Sequence, residues 1–211
     1  MPQEAKPLAP LKDEVVLIHG LMRTPLSMYS LKTYLQRQGL NVELYGYISA
    51  RYTIHEHAQA FKKYIEHLIY KNPHYKIHIV GHSLGGIIAR EALAGLTAQE
   101  MKHIHSLIML APPNKGSRLA LWSTRVPGLS ATIKPLAELS SDDSSYVHKI
   151  PIPKVKIGII AGKFDAKVPP EYTRLQGQAE PVVVNSTHTF IMNNPVVKRL
   201  VYSFIKKGQF S

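Results

Sequence analysis

Lys76-Ile77-His78-Ile79-Val80-Gly81-His82-Ser83-Leu84-Gly85-Gly86 decides how the rest of the chain is read. Lys76 to Val80 holds three β-branched apolar side chains, the composition of a buried strand. Leu84 to Ala94 reads as a helix. Between the two stands G-x-S-x-G, at Gly81, Ser83 and Gly85. Three fixed residues, each at about 7% usage, occur by chance in roughly 0.07 of chains this long, so the motif counts only through its setting. Strand, sharp turn and helix together are the setting that pushes a serine hydroxyl out at the carboxyl edge of a sheet. A serine on so tight a turn is strained, and side chains two positions either side would collide. Gly81 and Gly85 remove them, and Gly86 lets the helix pack closely.

Outward from this stretch, short apolar runs alternate with helical patterns, the signature of a parallel sheet with crossover helices. The expected strands are Glu14 to His19, Asn41 to Tyr45, Lys76 to Val80, Ser106 to Leu110, Val155 to Ala161 and Glu180 to Val184. Thr53 caps a helix whose face carries Ala58, Phe61, Ile65, Leu68 and Ile69, and which stops before Pro73. Near the end, Asn194 serves as N-cap and Pro195 as first helical residue, followed by the apolar stripe Val196, Val197, Leu200, Val201, Phe204 and Ile205. The expected architecture is an α/β protein, a three-layer α/β/α sandwich on a mainly parallel six-stranded sheet. Residues 1–211 are read as a single domain with an N-terminal arm over 1–12. From 112 to 153 the alternation breaks, with five prolines and a Ser140-to-Ser145 polar centre; this excursion is expected to be a lid or cap.

Composition narrows the function classes. With 45% hydrophobic residues the chain is globular, and it has no cysteine, which excludes disulfides, thiolate metal sites and a cysteine nucleophile. No apolar run approaches the ~20 residues needed to cross a bilayer. Met1 to Pro10 has no apolar h-region, so a cytoplasmic location is expected. Lys and Arg number 26 against 14 Asp and Glu, a net charge of +12. That charge either solvates the surface or draws the chain to an anionic partner, such as a phospholipid surface or an acidic substrate. No nucleic-acid module or aromatic platform accompanies it, so nucleic acid is not expected as a partner.

A serine hydroxyl is a weak nucleophile and needs a base held by a third group. On a sheet of this kind the chain order is serine, acid, histidine. His103 and His105 lead into a strand at its amino end and His148 lies in the excursion. His188 follows the last strand in a short loop before the final helix, and is the expected base. Asp165 follows the strand Ile157 to Ala161 and is the expected acid, in preference to Asp142 and Asp143 in the excursion. The donors expected for an oxyanion are the Leu84 N–H, next to the serine, and the Leu21 N–H in the loop after the first strand, with Met22 as the weaker candidate. His19 and His82 flank the site and are read as structural.

Ile18 to Leu21, Gly81 to Gly86, Ala111 to Ser117, Ala161 to Asp165 and Thr187 to Phe190 together resemble the α/β-hydrolase superfamily, in its compact bacterial lipase and esterase-like members. The matching pieces run in family order from residue 18 to residue 190. The resemblance implies a Ser83–His188–Asp165 triad, hydrolysis of esters or thioesters, a small-molecule ester or lipid substrate and no cofactor; from the sequence itself, no metal is expected either. Six strands are two fewer than the superfamily's usual eight, so the chain looks like a minimal version. Many lipases carry Gly-Pro-His-x-Gly-Ser where this chain has Pro112 to Ser117; Asn114 stands at the histidine, which argues against a long-chain lipase. The competing readings are a thioesterase or amidase with the same triad, and a non-catalytic binding protein on the same fold.

Overall fold

A computed structural model describes residues 12–117, 133–139 and 145–211. Six strands form one sheet: β1 (Lys12–Ile18), β2 (Asn41–Tyr45), β3 (Tyr75–His82), β4 (Ile104–Leu110), β5 (Lys156–Gly162) and β6 (Val182–Val184). Their spatial order is β2-β1-β3-β4-β5-β6, and every neighbouring pair is parallel. All six therefore end at one edge. The chain steps to one side after β1 and to the other after β2, so the direction of winding reverses between β1 and β3. Such a reversal opens a crevice beyond the carboxyl ends of those two strands.

The helices are α1 (Tyr29–Arg37), α2 (Ile54–Lys71), α3 (Leu84–Ala94), α4 (Ala98–Met101), α5 (Lys134–Glu138), α6 (Pro170–Thr173) and α7 (Pro195–Lys207). Successive strand residues point to opposite faces, and the buried side chains divide accordingly. Val16, Ile18, Ile77, Ile79, Leu107 and Met109 pack with α2 and α3; Val15, Leu17, Val80, Ile108 and Leu110 pack with α1 and α7. This is the three-layer sandwich the alternation implies.

The caps behave as their residue types dictate. Thr53 and Glu56 form a reciprocal capping box at the start of α2. Asn194 accepts from the Val196 N–H ahead of Pro195, and Gly208 closes α7 with φ 74°. Of the α7 stripe, Val197, Val201, Phe204 and Ile205 are buried, whereas Val196 faces solvent. Two strand limits differ for physical reasons. β3 runs on to His82 because the ladder to β4 continues through His82–Leu110. β6 begins at Val182, because the preceding Pro181 has no N–H to donate to a ladder.

The expected arm over 1–12 lies almost wholly outside the described residues, as do 118–132 and 140–144 of the expected lid. Among the described residues no helix is long and apolar enough to cross a membrane.

Candidate active site

Ser83 sits between β3 and α3 with φ 51° and ψ −122°, a backbone conformation that costs a non-glycine residue about 1–3 kcal/mol. The turn is held by the Ser83 N–H donating to Leu110 O (2.9 Å) and the Gly86 N–H donating to Ser83 O (3.0 Å). Its tightness explains the flanking glycines. A Cβ on Gly81 would lie 2.5 Å from the Gly86 N and Cα, and a Cβ on Gly85 would lie 2.4 Å from His19 O. Gly20 faces the turn from the loop after β1, where a Cβ would stand 3.1 Å from the Ser83 Cβ. The loops after β1 and β3 thus close on each other at the winding reversal.

The structure brings Ser83, His188 and Asp165 together. The His188 Nε2 is 3.0 Å from the Ser83 Oγ, and its Nδ1 is 2.6 Å from Asp165 Oδ2. The other carboxylate oxygen, Oδ1, accepts from the Lys167 N–H (2.9 Å) and the Val168 N–H (2.8 Å). Both backbone donors require an acceptor at Oδ1, so Oδ2 is the oxygen turned to the imidazole. The Nδ1–H must then donate to Asp165, which leaves Nε2 free to accept the serine proton. All three side chains are buried or nearly so. Asp142 and Asp143 lie outside the described residues.

Two buried histidines frame this relay. His82 donates through Nε2 to the His188 carbonyl (3.0 Å) and packs its ring against His188, with centroids 5.0 Å apart. Burial, and then the neighbouring His188, hold the His82 imidazole well below its ordinary pKa, so it is neutral. His19 donates through Nδ1 to Gly20 O (3.0 Å), accepts from the Tyr47 N–H (3.4 Å) and stacks on the Tyr47 ring. Burial lowers its pKa as well. Both histidines set loop positions, as their flanking places suggest.

Leu84 opens α3, so its N–H has no intrahelical acceptor and carries the positive end of the helix dipole. Among the described residues, neither the Leu84 nor the Leu21 N–H donates to a protein acceptor. Met22 differs: its N–H donates to the Ser49 Oγ (2.9 Å), which commits it elsewhere. Its φ of 55° fixes the loop, and the Tyr47 hydroxyl ties the same loop by donating to His19 O (2.8 Å). Tyr47 and Ser49, in the segment after β2, are the supporting residues that the motif leaves unmarked; they carry no distinctive spacing.

A parallel sheet with a strained serine at a strand–helix turn, facing a histidine and an aspartate from later loops, defines the α/β-hydrolase class of fold. The alpha/beta hydrolase family model matches residues 15–158, more than half of the chain, and the chain belongs to that family. No curated protein sequence matches it. Among solved structures, the mature lipase BlEst2 of Bacillus licheniformis is similar at 15% identity, covering 97% of this chain and 96% of that one, with a TM-score of 0.71. A metagenomic carboxyl esterase gives 16% identity, 98% and 80% coverage and a TM-score of 0.76. The phospholipase PlaB of Legionella pneumophila gives 22% identity over 77% of this chain and 44% of its own, with a TM-score of 0.65. At these identities the likeness is one of fold.

Proposed function

We propose that the chain hydrolyses carboxylic esters through an acyl-enzyme. His188 Nε2 takes the Ser83 proton as Oγ attacks the ester carbonyl. The tetrahedral oxyanion accepts from the Leu21 and Leu84 N–H groups. As the C–O bond to the alcohol breaks, the imidazolium returns the proton to the leaving oxygen. Water then repeats the sequence on the acyl-serine, releasing the acid and restoring Ser83. Asp165 holds the imidazole tautomer and stabilises its charged form. The observation that carries this reading is the unbroken chain of bonds from the two backbone N–H groups through Asp165 and His188 to Ser83.

The substrate class is a small ester or a lipid, met at an anionic surface. Large apolar side chains are exposed around the carboxyl edge of the sheet, among them Met22 (68%), Ile48 (64%), Phe164 (60%) and Phe190 (61%). Arg23 and Arg51 lie in the same set of loops, and the Lys163 Nζ lies 5.8 Å from the centre of the Phe164 ring. Apolar residues beside cations suit the boundary of an anionic membrane.

A graded series of chromogenic acyl esters tests the reaction. The wild type is expected to turn over short or medium chains, and Ser83→Ala to abolish that activity. Turnover unaffected by Ser83→Ala would refute the reading. For the surface, inactive Ser83→Ala protein is expected to float with phosphatidylserine vesicles, and less so when Phe190→Ser is added. Equal binding to neutral vesicles, or none to either, would refute it.

A further inference from the structure

Arg90 lies on α3, about two turns beyond Ser83, and is 2% exposed. It is a guanidinium buried without a carboxylate ion-pair partner among the described residues. Its Nη1 donates to Asn114 Oδ1 (2.7 Å), and its Nη2 donates to Val147 O (2.7 Å) and Ile150 O (3.2 Å). Asn114 follows β4 where the 112–153 excursion leaves the sheet, and Val147 and Ile150 lie where the chain returns. One side chain on the nucleophile helix therefore holds both roots of the excursion.

The root it holds also carries the loop of the acid. The Asn114 Nδ2 donates to Thr173 O (2.8 Å), the Lys115 N–H to Tyr172 O (2.9 Å) and the Ser117 Oγ to Lys167 O (3.0 Å). Residues 114–117 are thus bonded to the segment from Lys167 to Thr173 at three points. That segment begins with the two N–H groups that orient the Asp165 carboxylate. Burying an ion costs several kcal/mol, and an apolar side chain of similar volume is often the more stable choice. A buried cation that spends its planar fork on an amide and two carbonyls is suited to fixing geometry, since a guanidinium holds three acceptors in one plane. Burial lowers its pKa only to about 10, so it stays charged at neutral pH.

We propose that Arg90 is a positioning residue for the reaction proposed above, acting through Asn114 on the loop that holds Asp165. It touches neither substrate nor the reacting atoms, and the inference rests on the ester-hydrolase reading. The asparagine that replaces the histidine of many lipases then has a purpose: its amide accepts from Arg90 on one side and donates to Thr173 on the other, bridging the two loops.

The test compares Arg90→Met, Arg90→Lys and Asn114→Ala with the wild type on one short soluble ester, well below each melting temperature. A misplacement of about 1 Å, caused by a change far from the chemistry, can cost about a hundredfold. Arg90→Met and Asn114→Ala are expected to lower kcat by about tenfold or more, with KM within about twofold. Fluorophosphonate labelling of Ser83 should slow in the same proportion, and Arg90→Lys should recover part of the loss. The double variant should be no worse than its poorer single, because both act through one route. A folded Arg90→Met protein with kcat within twofold of wild type would overturn the proposal, as would losses that multiply in the double variant. Should Arg90→Met fail to fold, Asn114→Ala decides by the same criterion: a folded protein with kcat within twofold of wild type would overturn the proposal. A wild type inert to every ester and to the probe would instead overturn the ester-hydrolase reading, and this inference with it.

Discussion

Replacing Asp165 by asparagine keeps the shape of the side chain and changes one feature, the identity of one oxygen. The amide has a single acceptor. The Lys167 and Val168 N–H groups, at 2.9 and 2.8 Å, require that acceptor at the Oδ1 position. The NH2 group must then face the His188 Nδ1, which lies 2.6 Å from Oδ2 in the wild type. A donor there forces Nδ1 to be the acceptor, and the ring proton moves to Nε2, 3.0 Å from the Ser83 Oγ. Nε2 then points a hydrogen at the hydroxyl that the proposed reaction requires it to deprotonate. A tautomer error of this kind costs about 10⁴ in kcat in a serine-protease triad, or roughly 5 kcal/mol of barrier. The fold should hardly change, because every position keeps a partner. Asp165→Ala, by contrast, strips the two N–H groups and His188 of their acceptors, and should lower stability by about 2–5 kcal/mol. Steady-state ester hydrolysis with thermal melts separates the two effects. An Asp165→Asn protein retaining activity within tenfold of wild type would refute the role given to Asp165.

The remaining expectations concern the turn and the sheet. Ser83→Gly should melt higher than Ser83→Ala, by about 1 kcal/mol of stability, because only glycine takes φ 51° without strain, and both should be inactive; a lower-melting glycine variant contradicts this. Gly85→Ala would set a Cβ 2.4 Å from His19 O and 2.6 Å from Ile18 O, and should cost about 3 kcal/mol in urea unfolding, since backbone must shift. Glu14 is buried in β1, and burial raises its pKa from 4.5 to about 6, with Glu43 adding to the effect against the opposing Asn41 bond. Its folded form therefore holds the proton more tightly than the unfolded form. The ionised carboxylate weakens the fold increasingly between pH 4.5 and 6, and by a constant amount above that. Glu14→Gln should gain about 1–2 kcal/mol at pH 8 and nothing at pH 4, read from urea midpoints at the two values.

The sheet and the turn were legible because their signals are local and repeated. Strand runs bounded by turn residues mark β2 to the residue, and G-x-S-x-G between a strand and a helix leaves little freedom for Ser83. His188 and Asp165 follow from chain order on such a sheet, and the structure brings them to the serine. Other features were not legible because they depend on partners far along the chain. Helix α1, with only Leu31 and Leu35 fully buried, is too short to stand out against polar neighbours. The tie from the Met22 N–H to Ser49 spans 27 positions and has no motif, so Met22 looks like an available donor until that bond is seen. Arg90 gave only a weak signal: it stands with Glu91 as the charged pair in a helical run, Leu84 to Ala94, that is otherwise apolar, and an adjacent Arg-Glu pair reads as a solvated face. Nothing in the sequence names Val147 and Ile150 as its acceptors, because a carbonyl is the same on every residue.

The central claim is that Ser83 is a nucleophile activated by His188. Incubating the protein with a fluorophosphonate and locating the adduct by peptide mass spectrometry tests it most directly. The expected result is one adduct, on Ser83, lost in Ser83→Ala and strongly slowed in His188→Ala. An adduct on another residue, or no labelling by a folded wild type, would contradict it.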